Sequence, residues 1–202
     1  MPVTRDETIQ IQTKYGPSEA ITFAGLDGEH IIFAFGNWRQ SLVPKVRIHS
    51  ECLTGDVFGS KRCDCGPQLN EAMKNFSETA GIIIYLRQEG RGIGLLNKMK
   101  AYRLQDQGLD TYEANRELGF ADDLRDFKVA AEMLKALGIF QVRLLSNNPR
   151  KMRGLEENGV RVVHRLFTRT HACEGNRKYL QTKAEFGGHD GLEILNLNGV
   201  AK

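Results

Sequence analysis

Near Pro67 the hydrophobic pattern of this chain changes period, from short β-branched runs to a stripe spaced like a helix. Before that point Ala20 to Leu26, His30 to Phe35 and Val43 to Ile48 are rich in Ile, Val and Phe and are broken by Gly28 and Gly36, which predicts strands in an antiparallel sheet. After it Leu69, Met73 and Phe76 recur at helical spacing, and Gly81 introduces an apolar strand over Ile82 to Leu86. Leu95 to Gln107 reads as a second helix. Asp123 to Leu137 reads as a third, with Phe127, Ala130, Ala131, Leu134 and Leu137 on one stripe ended by Gly138. A strand over Val142 to Leu145 follows. Asn147-Asn148-Pro149 then resembles a cap with proline in the first turn of a short helix, which Gly159 closes before a strand over Val160 to His164. Strands followed by strand–helix alternation predict an α/β (α+β) fold: a mixed sheet with an N-terminal antiparallel portion and flanking helices. With no repeat, low-complexity tract or linker, residues 1–202 are expected as one domain, with 1–15 and 187–202 as flexible ends.

A length of 202 residues with 41% hydrophobic and 26% charged content is enough to bury a core and argues against disorder. The longest apolar runs stop far short of the roughly 20 residues of a membrane helix. The N-terminus has mixed charge and no signal-like apolar stretch, so the expected location is the cytoplasm, with no membrane partner. A net charge of +3, without interleaved aromatic and basic residues, gives no reason to expect a nucleic-acid partner. Arg143, Arg150, Lys151, Arg153, Arg161, Arg165 and Arg169 do crowd the last third. They form either a positive surface for a phosphorylated ligand or an ordinary solvated face.

In a reducing compartment four cysteines are poor candidates for disulfides, and three of them fall within fourteen residues as Cys52-x10-Cys63-x-Cys65. That spacing suits zinc. Structural zinc sites close four ligands around the ion, whereas catalytic ones keep a position for water. His49 or Cys173 could supply a fourth ligand, so a structural clip and a catalytic centre both stay open on spacing alone.

Arg87-Gln88-Glu89-Gly90-Arg91-Gly92-Ile93-Gly94 lies between a predicted strand and a predicted helix, where glycines permit close backbone approach and a helix N-terminus suits phosphate. It is neither a Walker A loop nor the dinucleotide fingerprint. A loop that merely tolerates positive φ explains it equally well. Tyr102, Asp123 and Arg125 would ordinarily be read as packing, a helix cap and a solvated charge.

Taken together, His49-Ser50-Glu51-Cys52-Leu53-Thr54-Gly55-Asp56, Arg62-Cys63-Asp64-Cys65-Gly66, Arg87 to Gly94 and Leu95-Leu96-Asn97-Lys98 resemble GTP cyclohydrolase II. Tyr102-x-Leu104-Gln105-Asp106-x-Gly108, Asp110-Thr111, Glu113-Ala114-Asn115, Leu118-Gly119-Phe120 and Asn147-Asn148-Pro149 extend the likeness in order, over roughly residues 44 to 185. The resemblance implies one Zn²⁺ per chain on Cys52, Cys63 and Cys65. It also implies Mg²⁺, and a reaction that opens the imidazole ring of GTP at C8 with release of formate and diphosphate, the first step of riboflavin biosynthesis. It places Arg47, Ile48, His49, Ser50, Glu51, Gln68, Glu89, Gly90, Arg91, Thr111, Ser146 and Lys151 at the GTP. Tyr102 falls at the catalytic tyrosine, Asp123 at the proton acceptor and Arg125 at the residue said to attack the α-phosphate. A homodimer is implied as well.

The Arg125 role is chemically awkward, because a guanidinium with pKa above about 12 is a poor nucleophile. Charge stabilisation of the transferred phosphoryl group is the alternative. Ser146 stands where the family often has threonine, and the segment after Phe167, with His171, Cys173 and the tail from Phe186, departs from the pattern. Two further readings remain at this point: a specialised relative that stops at a formylated intermediate or feeds another pathway, and a non-catalytic zinc or nucleotide module.

Overall fold

Ile82 and Ile84 are wholly closed off from solvent and Ile83 is 2% exposed, so the strand they form, β5 (Gly81–Leu86), is covered on both faces. In this computed structural model, which describes residues 1–185, β5 sits fourth in a seven-stranded sheet of order β1-β2-β3-β5-β4-β6-β7. The other strands are β1 (Thr4–Thr13), β2 (Gly16–Ala24), β3 (Ile31–Phe35), β4 (Lys45–Ser50), β6 (Gln141–Leu145) and β7 (Arg161–Leu166). The pairs β1–β2, β2–β3 and β3–β5 are antiparallel, while β5–β4, β4–β6 and β6–β7 are parallel. This is the mixed sheet with an antiparallel N-terminal portion that the pattern predicts.

Two expectations are corrected. The run at Val43–Ile48 is not part of the antiparallel portion: β4 is inserted between β5 and β6, parallel to both. Its residues from Val46 to His49 are all buried, as befits a parallel strand packed on two faces, and local sequence does not say which neighbour a strand chooses. The N-terminal end is the second correction. Instead of a flexible end, residues 4–13 form β1, held by a ladder to β2 that runs from Thr4↔Ala24 to Thr13↔Gly16. Its side chains are almost all exposed, so backbone pairing rather than burial orders it. The expected flexible end at 187–202 lies outside the described residues.

Helices cover the two faces. Against the Ile83 face lies α2 (Cys65–Thr79), which buries Ala72 and Phe76 beside Phe35 and Leu145. Gly81 is required here, because a Cβ on it would lie 2.5 Å from the Phe76 ring. On the Ile82/Ile84 face, α5 (Lys128–Ala136) buries Ala130, Ala131, Met133 and Leu134, and α6 (Pro149–Glu156) adds Leu155. Burying one such aliphatic side chain is worth about 1.5–3 kcal/mol. The remaining helices are α1 (Leu53–Asp56), α3 (Gly94–Asp106), α4 (Thr111–Glu117) and α7 (Arg177–Glu185). The third predicted helix starts later than expected. Phe127 is the residue before α5, so Asp123 and Arg125 lie in a loop, where their side chains pair with each other instead of facing outward from a helix.

Candidate active site

The chain leaves β4 toward β5 on one side and later returns through β6 on the other, so the carboxyl ends of β4, β5 and β6 open on one crevice, the usual ligand position in such sheets. A cavity of about 370 Å³ lies there.

Its floor is a thiol cluster. Cys52 follows the end of β4, Cys63 lies in the next loop, and Cys65 opens α2. Their Sγ atoms all fall within 4.8 Å of one another, with Cys52 and Cys63 3.6 Å apart. Asp56 fixes the start of this segment. Its carboxylate accepts from the Cys52 N–H at 3.0 Å and the Tyr85 hydroxyl at 2.9 Å, and meets His49 Nε2 at 3.1 Å. Gly55 is the close approach that makes room, since a Cβ there would lie 2.9 Å from Cys63 Sγ and 3.2 Å from Cys52 Sγ. Hydrogen bonds from Cys63 and Cys65, reinforced by Lys98, hold Cys52 as the thiolate. The same coupling pushes Cys63 up to about 11 and Cys65 well above the ordinary thiol value. Soft, convergent sulfur donors of this kind fit zinc. Among the described residues the group has three members. His49 is turned to Asp56 and stacks on Tyr85, and exposed Cys173 donates to the Lys61 carbonyl.

The β5–α3 loop forms one wall. Gly90 and Arg91 both have φ near 62°, a left-handed conformation that costs a non-glycine residue energy and that persists only where surroundings enforce it. Here the Arg91 carbonyl accepts from Leu124 N–H and its guanidinium lies 4.3 Å over the Tyr112 ring. Glu89 is engaged on both oxygens, by Leu53 N–H at 2.7 Å, by Lys98 at 2.8 Å and by its neighbour Gly90 N–H at 2.8 Å. Gln68 is likewise engaged: it accepts from Arg47 Nη2 at 2.8 Å and donates to Asp64 at 2.6 Å.

The opposite wall is cationic. Lys151, at the start of α6, donates to the Ile48 carbonyl at 2.7 Å. Burial, with Arg47, Arg125 and Lys183 nearby, drives its pKa well below the usual lysine value. Burial likewise lowers Arg47. Nε of Arg47 and Nη1 of Arg91 are buried without a hydrogen-bond partner among the described residues, which leaves donors for an anion. At the rim Asp123 accepts from Arg125 and meets Arg150 at 2.6 Å. Burial opposes the Asp123 charge, but Arg125 outweighs it and holds the carboxyl below its ordinary range.

Most residues singled out in the sequence therefore meet in one cleft: Arg47, His49, Ser50, Glu51, Gln68, Glu89, Gly90, Arg91, Tyr102, Thr111, Asp123, Arg125, Ser146, Lys151 and the three cysteines all line it. Ile48 does not. Its side chain is fully buried in the Ile82/Ile84 core, and only its carbonyl serves the site, through Lys151. Sequence reasoning assigned no role to Lys98, Tyr179 or Lys183, which line the cleft as well. Lys98, Ala101, Tyr102 and Gln105 share one helical face, and Asp110-x-x-Glu113 forms a capping box that starts α4, so both signals were present.

These features define an α/β enzyme that could hold a metal ion beside an anionic substrate. A family model described as GTP cyclohydrolase II matches residues 4–167. The chain is 57% identical over 176 residues to GTP cyclohydrolase-2 of Vibrio vulnificus, covering 85% of this chain and 88% of that protein. It is 54% identical to GTP cyclohydrolase-2 of Vibrio cholerae, with the same coverage of 85% and 88%. Riboflavin biosynthesis protein RibBA of Bacillus cereus is 50% identical over 198 residues, which are 96% of this chain and 49% of that protein, so this chain spans about half of that relative. A solved two-domain 3,4-dihydroxy-2-butanone 4-phosphate synthase from A. baumannii overlaps only loosely, with a TM-score of 0.47 at 20% identity over 84% of this chain and 41% of that one. The chain belongs to the GTP cyclohydrolase II family, hydrolases of riboflavin biosynthesis. No helix among the described residues is long and apolar enough to cross a membrane.

Proposed function

We propose that this protein opens the imidazole ring of GTP at C8 and releases formate and diphosphate, leaving 2,5-diamino-6-(5-phosphoribosylamino)pyrimidin-4-one. The observation that carries the reading is the cluster of three thiols, with no fourth ligand among the described residues, set in the floor of a cationic cleft. Cys52, Cys63 and Cys65 would hold one Zn²⁺. Zinc bound there supplies a Lewis acid able to lower the pKa of a water to about 7.

The protein's own groups do the rest. Lys151, Arg91 and Arg47 offset the charge of the triphosphate, which brings Mg²⁺ with it. Buried cations without water to screen them attract an anion far more strongly than surface ones. Tyr102 serves the departing ring nitrogen. Arg125, held by Asp123, stabilises charge on the phosphoryl group during loss of diphosphate. Thr111 and Ser146 offer hydroxyls to the nucleotide. A cytoplasmic single-domain homodimer completes the reading.

Incubation of the purified protein with GTP, Zn²⁺ and Mg²⁺, with formate, diphosphate and pyrimidine quantified, tests it. One formate per diphosphate is expected. No formate would overturn the reading, and a formylated product would favour the specialised relative.

A further inference from the structure

Three N–H groups of Lys98 meet three acceptors in a nearly closed space. Its Nζ lies 2.8 Å from Glu89 Oε1, 3.0 Å from Thr54 Oγ1 and 3.2 Å from Cys52 Sγ, and the residue is 7% exposed. An ammonium donates and cannot accept. Thr54 Oγ1 is therefore an acceptor toward Lys98, and its single proton must go elsewhere. Two atoms are within reach: Tyr102 Oη at 3.3 Å and Cys52 Sγ at 3.7 Å. Tyr102 Oη is the nearer of the two, and the Cys52 sulfur already takes a Lys98 N–H and is the atom that would be committed to zinc. Thr54 then donates to Tyr102, and the phenol's own proton is displaced from the bond and left to point into the cleft that Tyr102 lines.

We propose that Lys98 and Thr54 are positioning residues that set the direction of this chain of hydrogen bonds and so present Tyr102 as a proton donor to the ring nitrogen released from guanine. The inference rests on the cyclohydrolase reading above. When the bond between C8 and nitrogen breaks, its electron pair stays on nitrogen and the Tyr102 proton joins it. The phenolate left behind accepts from Thr54 and faces the Lys98 charge, 5.6 Å from the ring centroid. A proton from solvent water restores the phenol. Burial raises the Tyr102 pKa, in keeping with a group that carries its proton at neutral pH. Glu89 completes the arrangement by holding Lys98 while accepting the Leu53 N–H that opens α1.

The test compares Thr54→Val, which keeps the shape and loses the hydroxyl, with Thr54→Ser, which keeps the hydroxyl, in the full zinc-loaded chain. Expected for Thr54→Val is a kcat lower by about a hundredfold, with Thr54→Ser within about threefold of the parent, the size of a general-acid contribution. KM for GTP and zinc stoichiometry should stay near the parent's. Independently of turnover, ultraviolet difference titration against Tyr102→Phe should show the Tyr102 phenol ionising at higher pH in Thr54→Val. Thr54→Ala takes the place of Thr54→Val if that variant does not fold. Unchanged kcat, an unmoved Tyr102 titration or loss of zinc in the hydroxyl-free variant would each overturn the proposal, as would failure of serine to restore the rate. Absence of formate from the parent enzyme would instead sink the underlying reading, while the titration still decides the hydrogen-bond direction.

Discussion

Arg125 donates to both oxygens of Asp123, from Nε at 2.9 Å and from Nη2 at 2.7 Å, in a fork at the rim of the cleft. Burial works against the Arg125 charge, yet Asp123 outweighs it and raises the arginine pKa, while Asp123 itself is lowered. Both partners are thereby held in their charged forms, which suits electrostatic stabilisation and not nucleophilic attack by Arg125. Arg125→Ala is expected to lower kcat for diphosphate release by roughly 10²–10³-fold, as when a single stabilising donor is lost. No covalent guanylyl adduct should be trapped on the parent protein by acid quench and mass spectrometry. A stoichiometric adduct on Arg125 would refute this.

Gly55 sets how closely the cysteines gather. In Gly55→Ala the new methyl would press on Cys63 and Cys52 Sγ from 2.9 and 3.2 Å. Zinc binding, measured by competition with a chromophoric chelator, should weaken by about 10–100-fold, as when other supporting groups of a metal site are altered. Unchanged affinity would mean that the sulfur positions are set elsewhere.

Lys151 carries the pH dependence of anion binding. Its pKa is depressed in the free protein by burial and by Arg47, Arg125 and Lys183, so an incoming phosphate must raise it. Affinity for GTP should therefore fall as pH rises through the depressed lysine value, below the usual range for that residue. Calorimetry in buffers of different ionisation enthalpy should record proton uptake on binding within that window. Proton release there would contradict the assignment.

Lys183 ties α7 to the floor of the cleft through Asp64, whose side chain is fully buried, at 2.7 Å. Burial raises the Asp64 pKa, but the Lys183 ammonium, with Arg47 beside it, outweighs burial and holds it lowered. A lowered carboxyl stabilises the fold above its unfolded pKa and loses that contribution as pH falls through its folded value. Lys183→Met, followed by urea denaturation, should cost on the order of 3–5 kcal/mol, typical of a buried charge stripped of its partner. In the variant the Asp64 pKa moves up toward or past its unfolded value, so the acid-induced loss linked to this carboxyl should shrink. A cost under about 1 kcal/mol would show that Gln68 and Arg47 suffice to hold Asp64.

The sequence by itself determined the elements whose signals are local. The cap at Asn148 with Pro149 after it and the apolar run of β5 appear where the pattern put them, and the stripe of Ala130, Ala131 and Leu134 is helical and buried as expected although its helix starts five residues late, because period and capping depend on neighbours along the chain. The family motifs likewise marked about half of the residues that line the cleft. Only the tertiary structure decided the partners. Strand β4 lies parallel between β5 and β6, because that pairing is settled by residues far away along the chain, whereas β1 is ordered by the hairpin it forms with β2 and not by burial of its own side chains. Asp123 faces Arg125 and Arg150 at the rim, and Lys98 reaches Cys52, Thr54 and Glu89 across up to 46 positions of chain. Those contacts depend on burial and direction, which become defined when the sheet and its helices close over them.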